Sequence, residues 1–343
     1  MNKKYLKEVL SIPSISGNES MVRDHIKEFA TINNIKYNID SKGNIYLTKG
    51  SNKKGEFYPC VVSHIDTVHR EHIPLIEKKQ FLKIVENTIT TNNLVETTLT
   101  ARLPNSDTLT GIGGDDKCGV YVCLEMFKKF DKLKGAFFVE EEIGMLGSKE
   151  SDDKFFLDVG YAIQFDAPSA NWITEICSGT RLFDSEFKEN IKKTLTESGY
   201  TNYSNDPFTD VNQLAKKYDF CCLNLGCGYY KQHSKYEYVI VEEVEKSLNA
   251  GEKLINELGT TKYIHKKDKL VLNENIYSQY TNDMLYFDDF EEYDDFFGYE
   301  DELNVDLEVT SETIVNMVLT LHEYGFTEKE ISSEIKKYIQ ENL

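Results

Sequence analysis

Apolar residues gather in short runs along this chain. NIYLT (44–48), FYPCVVSHID (57–66), GAFFVEE (135–141), GYAIQFD (160–166), WITEIC (172–177) and FCCLNLG (220–226) each have the length of a strand, and most are apolar through their middles. Between them, apolar positions recur at three- and four-residue spacing. That spacing predicts helices over Lys4–Leu10, Glu19–Ile32, Gly119–Phe130, Ser185–Ser198, Thr209–Tyr218 and Val241–Leu258, with Ser16 or Asn18 as the N-cap of the second. Strands buried on both sides and alternating with helices predict an α/β fold. The expected form is three layers, a mostly parallel mixed sheet with helices on both faces, over residues 1–263.

Two stretches break the pattern. Residues 71–109 are rich in Thr and Asn and predict a hairpin insertion or a long loop. Beyond Tyr263 the composition changes: Asp283 to Glu308 holds twelve acidic residues and no basic one, interleaved with aromatics. Residues 264–309 therefore read as an acidic aromatic linker, whose tail is expected to contact the core or a protein partner. Residues 310–343 read as a small helical unit, with Ser311 and Thr327 at N-caps and Gly325 at the turn.

Charge and cysteine usage narrow the function. A net charge of −19 over 343 residues excludes nucleic acid as a general partner. No apolar run is long enough for a membrane helix, so no membrane partner is expected. The N-terminal stretch lacks the apolar core of a signal peptide. Seven cysteines without a CxxC pair fit the reduced thiols of a cytoplasmic protein.

The candidate chemistry lies at the ends of the strands. His64 and Asp66 close the second run, and Asp115 and Asp116 precede a helix in GIGGDDKCGV. Glu140, Glu141 and Glu142 follow the third run, Asp166 ends the fourth, and His233 and Glu237 sit in a late loop. Strands in a parallel sheet share one carboxyl edge, where ligands bind. Taken singly, these residues have plainer readings: a satisfied histidine, a helix cap, a solvated acidic face. Together they deliver imidazoles and carboxylates from five segments to one edge. Such a cluster must take up protons or bind cations. Nitrogen and oxygen donors without thiolate suit zinc, and also manganese or cobalt.

SHIDTV, GGDDKCG, EEEIGMLGS, QFD and HSKYEYV, in that order, resemble the di-zinc exopeptidase superfamily, in the branch of peptidase T, carboxypeptidase G and the aminoacylases. LSIPSISGNE resembles that branch's N-terminal segment, and the likeness spans about residues 5–258. The resemblance implies two zinc ions. His64 and Asp166 would hold the first, Glu142 and His233 the second, and Asp115 would bridge both, with a cis peptide following it. It implies that Asp66 orients His64 and that Glu141 is the general base for attack by metal-activated water. Glu140 is given no role.

The implied activity is hydrolysis of a peptide or other amide bond, as an aminopeptidase or dipeptidase. The substrate would be a small peptide or an acylated amino acid. Deacylation of N-acyl amino acids on the same centre, or a non-catalytic binding role on this fold, are the alternatives. Asp166 and His233 lie only 67 positions apart, too few to include the lid domain of many relatives, so a lid-mediated dimer is not expected. Asp210 in FTDV resembles a family Thr-Asp, and helix capping explains it equally well.

Overall fold

The structure, a computed structural model, describes residues 1–91, 94–206 and 208–266. All but the first three residues of the acidic linker, and the whole C-terminal helical unit, lie outside the described residues. In chain order the elements are α1 (Lys3–Ser11), α2 (Ser20–Ile32), β1 (Lys36–Ile39), β2 (Ile45–Lys49), β3 (Tyr58–His64), α3 (Ile73–Lys78), β4 (Lys83–Thr91), β5 (Leu94–Arg102) and β6 (Leu109–Thr110). There follow α4 (Gly114–Lys129), β7 (Leu133–Phe138), α5 (Leu146–Lys149), α6 (Asp153–Phe156), β8 (Val159–Ala167), β9 (Trp172–Cys177), β10 (Thr180–Arg181) and α7 (Ser185–Glu197). The last are β11 (Asn202–Asp206), α8 (Asp210–Lys217), β12 (Cys222–Gly226), β13 (Tyr229–Tyr230), β14 (Tyr238–Ile240) and α9 (Val241–Leu258).

The main sheet runs β1-β2-β7-β3-β8-β12-β9-β10, with β11 also paired to β9. Its centre, β7-β3-β8-β12, is parallel throughout, and antiparallel strands finish both sides. β3 and β7 are buried along their whole length, as the continuous apolar runs require. Helices cover both faces. Successive residues of β8 point opposite ways. Gln164 accepts from the Thr209 hydroxyl at 2.8 Å and from Val211 N–H at 3.0 Å at the start of α8. Phe165 packs against Gly251 of α9, where an added Cβ would lie 2.6 Å from the ring.

Within residues 71–109, α3 is followed by a hairpin, β4 and β5, in a second antiparallel sheet with β6, β13 and β14. This sheet ties the late loop to the insertion: Val239 pairs with Leu99. The residues between Asp166 and His233 build β9 to β13 with α7 and α8, mostly strands of the main sheet and the helices packed on it. No separate lid is inserted there among the described residues. No helix among them is long and apolar enough to cross a membrane. All seven cysteines are buried free thiols, and burial pushes those of Cys60 and Cys221 up to about 12.

One capping expectation fails. Neither Ser16 nor Asn18 caps α2, which has Glu19 at its N-cap position and no side-chain cap. The Ser16 hydroxyl instead donates to Asp66 at 2.7 Å. A charged acceptor outcompetes a helix-end N–H that water can reach.

The turn between β3 and α3 buries His72, whose Nε2 lies 3.2 Å from the Thr110 hydroxyl. Burial first, then Lys117 and His69, push this imidazole down to about 2. The folded state therefore refuses a proton that the unfolded chain accepts below about pH 6.5. Stability is complete above that pH and falls as the pH drops. Between pH 7 and pH 5 this side chain is expected to remove on the order of 2 kcal/mol. Urea midpoints at the two pH values, compared with His72→Gln, check this. An unchanged pH slope in the variant would refute it.

Candidate metal centre

His64 is the last residue of β3, and Ile65 N–H still reaches the Phe138 carbonyl at 2.9 Å, so the chain stays beside β7 past the strand's end. The turn that follows is organised by the Asp66 carboxylate, which is completely buried. It accepts from Ser16 Oγ at 2.7 Å, from Glu141 N–H at 3.0 Å and from Glu142 N–H at 3.1 Å, and it lies 3.3 Å from His64 Nδ1. Four donors hold its carboxyl below the usual carboxylate range although burial opposes this. With Nδ1 turned toward Asp66, the His64 Nε2 faces the opposite way.

There it meets two carboxylates. Nε2 lies 3.1 Å from Asp115 Oδ1 and 3.5 Å from Asp166 Oδ1. Asp115 sits at the start of α4 with non-helical dihedrals, after Gly113 at φ 64°, and its peptide bond to Asp116 is cis. The two aspartates divide the roles open to them. Asp116 turns inward, accepting from Ser63 Oγ at 2.6 Å and Gly119 N–H at 3.0 Å, as a helix-end acceptor does. Asp115 turns to the sheet edge, and its Oδ2 lies 3.3 Å from His233 Nε2.

The acidic triplet also separates. Glu140, at φ 54°, pairs with Lys42 at 2.5 Å. Glu142 Oε2 lies 3.0 Å from His233 Nε2, and Glu142 Oε1 is buried without a partner. Glu141 is buried, and burial first, then Asp166, Asp210 and Glu142, push its carboxyl well above the usual range against the pull of His64. Asp166 is steadied by Asn224, which bonds both its N–H (2.9 Å) and its carbonyl (2.8 Å). Its carboxylate accepts from Gln164 at 3.1 Å and Tyr229 at 3.3 Å. His233, at φ 61°, leaves its side chain half exposed at the rim.

Two groups emerge, His64–Asp115–Asp166 and Asp115–Glu142–His233, each with donor atoms within 4.8 Å of one another and Asp115 in both. The residues fit divalent cations. Burial pushes Asp166 up to about 8 and Glu142 upward, so neither carboxylate is comfortable as an anion without added positive charge. Burial opposes a charge on His64, yet Asp166, Asp115 and Asp66 carry it well above its ordinary value. A divalent cation would satisfy this donor set.

Sequence reading missed several neighbours. Asn224 and Tyr229 lie outside the motifs, and Ser16, Ser63 and Gln164 lie within them without an assigned role, because their contacts are made between elements far apart in the chain. Asp210 does not cap α8. Thr209 holds the N-cap position, and Asp210 lies completely buried, pushed up to about 7 by burial, with His64, Ser148 and Gln164 offsetting part of it.

No family model matches the chain, and no curated protein matches it in sequence. Solved structures do match. Aminopeptidase PepT from Bacillus cereus superposes with a TM-score of 0.56 at 14% identity, over 74% of this chain and 97% of that one. The two chains share a fold. Two further structures share it. A tripeptidase from Staphylococcus aureus gives a TM-score of 0.53 at 14% identity, over 74% of this chain and 96% of that one. An aminopeptidase from Desulfurococcus kamchatkensis gives 0.55 at 15% identity, over 79% and 98%. In this fold the parallel strands β3, β7 and β8 end on one edge, and all the residues of the two groups except His233 follow or end a strand there or open the helix beside it.

Proposed function

We propose that this protein is a metal-dependent exopeptidase of the aminopeptidase or dipeptidase type, loaded with two zinc ions. The observation that carries the reading is the pair of three-residue groups sharing Asp115, with Glu141 beside them. His64, Asp115 and Asp166 would hold one ion, and Asp115, Glu142 and His233 the other. Nitrogen and oxygen donors with no thiol among them suit zinc, and manganese or cobalt next. When bound, the ions would supply Lewis acidity at the scissile carbonyl and make water acidic near neutral pH.

The chain's own groups account for the rest. Asp66 fixes the tautomer of His64, so that Nε2 presents a lone pair. Through the two N–H groups it accepts, the same carboxylate sets the angle at which Glu141 and Glu142 leave the turn. Neighbouring side chains diverge there, so Glu142 faces His233 while Glu141 is free to meet water. Glu141, as the carboxylate, takes a proton from the attacking water and hands it to the departing amine, and the surroundings that raise its proton affinity make it a stronger base. The cysteine thiols are buried, which disfavours a covalent route.

The names of the structural neighbours, aminopeptidase and tripeptidase, support a peptide substrate. The test is metal analysis of the purified full chain, joined to a panel of aminoacyl-anilides, dipeptides and N-acyl amino acids. Two ions per chain and chelator-sensitive cleavage of free-amino substrates are expected. Cleavage of N-acyl substrates alone would make it a deacylase. No stoichiometric metal and no cleavage would leave a binding protein.

A further inference from the structure

Glu237 lies four residues after His233 and is completely buried. It belongs to neither metal group, yet its carboxylate is fully committed. Oε2 accepts from Gly113 N–H at 2.6 Å and from His69 Nε2–H at 2.8 Å. Oε1 accepts from Asp115 N–H at 3.0 Å. Two of the three donors are thus backbone groups of the segment that carries the shared aspartate. We propose that Glu237 is a positioning residue that locks the Asp115 backbone to the His233 segment and so sets the distance between the two halves of the second ion's cage. This rests on the metal-centre reading above.

The surroundings argue that the lock is built. His69 lies flat against the loop: a Cβ on Gly111 would fall 1.9 Å from its ring, so only glycine admits it. A Cβ on Gly114 would meet Val239 at 2.8 Å and Glu237 Oε1 at 3.4 Å. The loop is therefore pressed onto the His69 ring at Gly111 and onto Glu237 itself at Gly114. On the other side, Glu237 runs directly into β14, which is paired to β5, so the acceptor is anchored to the second sheet. Glu237 N–H reaches the Ser234 carbonyl at 3.1 Å and closes the turn after His233. One carboxylate thus ties His233 at one end of its turn to Asp115 across the cleft, as groups behind metal ligands do.

Glu237→Gln retains size but replaces one oxygen with an NH2. Whichever way the amide lies, at least one N–H of the loop then faces another donor. The metal-stripped full chain is titrated with Co²⁺ and followed by its visible d–d bands. The wild type is expected to bind two ions. In Glu237→Gln the ion at Asp115–Glu142–His233 is expected to bind about 10–100-fold more weakly, with altered bands, while the other site changes less. A variant with a lower melting temperature but unchanged affinities and bands would make Glu237 a folding residue only and overturn the proposal.

His69→Gln and His69→Leu give a second route should Glu237→Gln not fold. Gln can still donate to Oε2 and is expected to stay near wild type, whereas Leu weakens the second ion. Equal affinities in the two would overturn the proposal. A wild type that binds no Co²⁺ would overturn the metal-centre reading itself, and this inference with it.

Discussion

Glu141→Gln is expected to lower turnover of an aminoacyl substrate by about 10²–10⁴-fold while leaving metal content unchanged. The side chain is isosteric, and its backbone N–H still donates to Asp66, so the turn that aims Glu142 is preserved. What disappears is a buried carboxyl that lies beside both metal groups and belongs to neither. In the folded protein Glu141 is buried among Asp166, Asp210 and Glu142, and its carboxyl is pushed well above the usual range. An acid shifted toward neutrality exchanges protons at the least driving-force cost, so the environment that is poor for a structural carboxylate suits a proton shuttle. Initial rates and metal analysis on the same preparation decide the matter. Retained turnover would remove Glu141 from the mechanism. Lost turnover with lost metal would instead make it a ligand.

Asp115→Ala is expected to have the largest effect on metal binding. Asp115 is the one residue common to both groups: Oδ1 faces His64 and Oδ2 faces His233. Removing it leaves each group with two donors, too few for either ion at ordinary affinity. The fall should exceed the roughly 10–100-fold that follows loss of a group behind a ligand. Metal per chain should drop from two to one or none, and hydrolysis to background. Asp116→Ala gives the contrast. Its carboxylate serves Ser63 and Gly119 and touches neither group, so that change is expected to act on stability. If Asp115→Ala kept both ions, the two-cation centre would be abandoned.

Much of this was legible in the chain. Six helices and six strands lie where periodicity puts them, because burial on both sheet faces leaves a continuous apolar signal and helix amphipathicity leaves a period near 3.6. The smaller elements were not. β1 is exposed along its length, so it carries no burial pattern to read. β13 and β14 are two and three residues long, and they exist only because β5 lies beside them. The five candidate ligand positions were visible as motifs because each sits next to a strand end or a glycine-rich turn.

By itself the sequence determined the layered α/β class, the run of strand-end polar residues and their donor chemistry, since these depend on residue types and local spacing. The motif resemblance already singled out Asp115 and Glu142, and only the tertiary structure decided the contacts that aim each member of the acidic sets. Asp115 was separated from Asp116, Glu142 from Glu140, and Ser16 was drawn to Asp66 instead of a helix end. Glu237 and Asn224 took their roles the same way. The reason is physical: direction of a side chain at the end of a strand is set by contacts from segments tens to hundreds of residues away, and no local pattern encodes them.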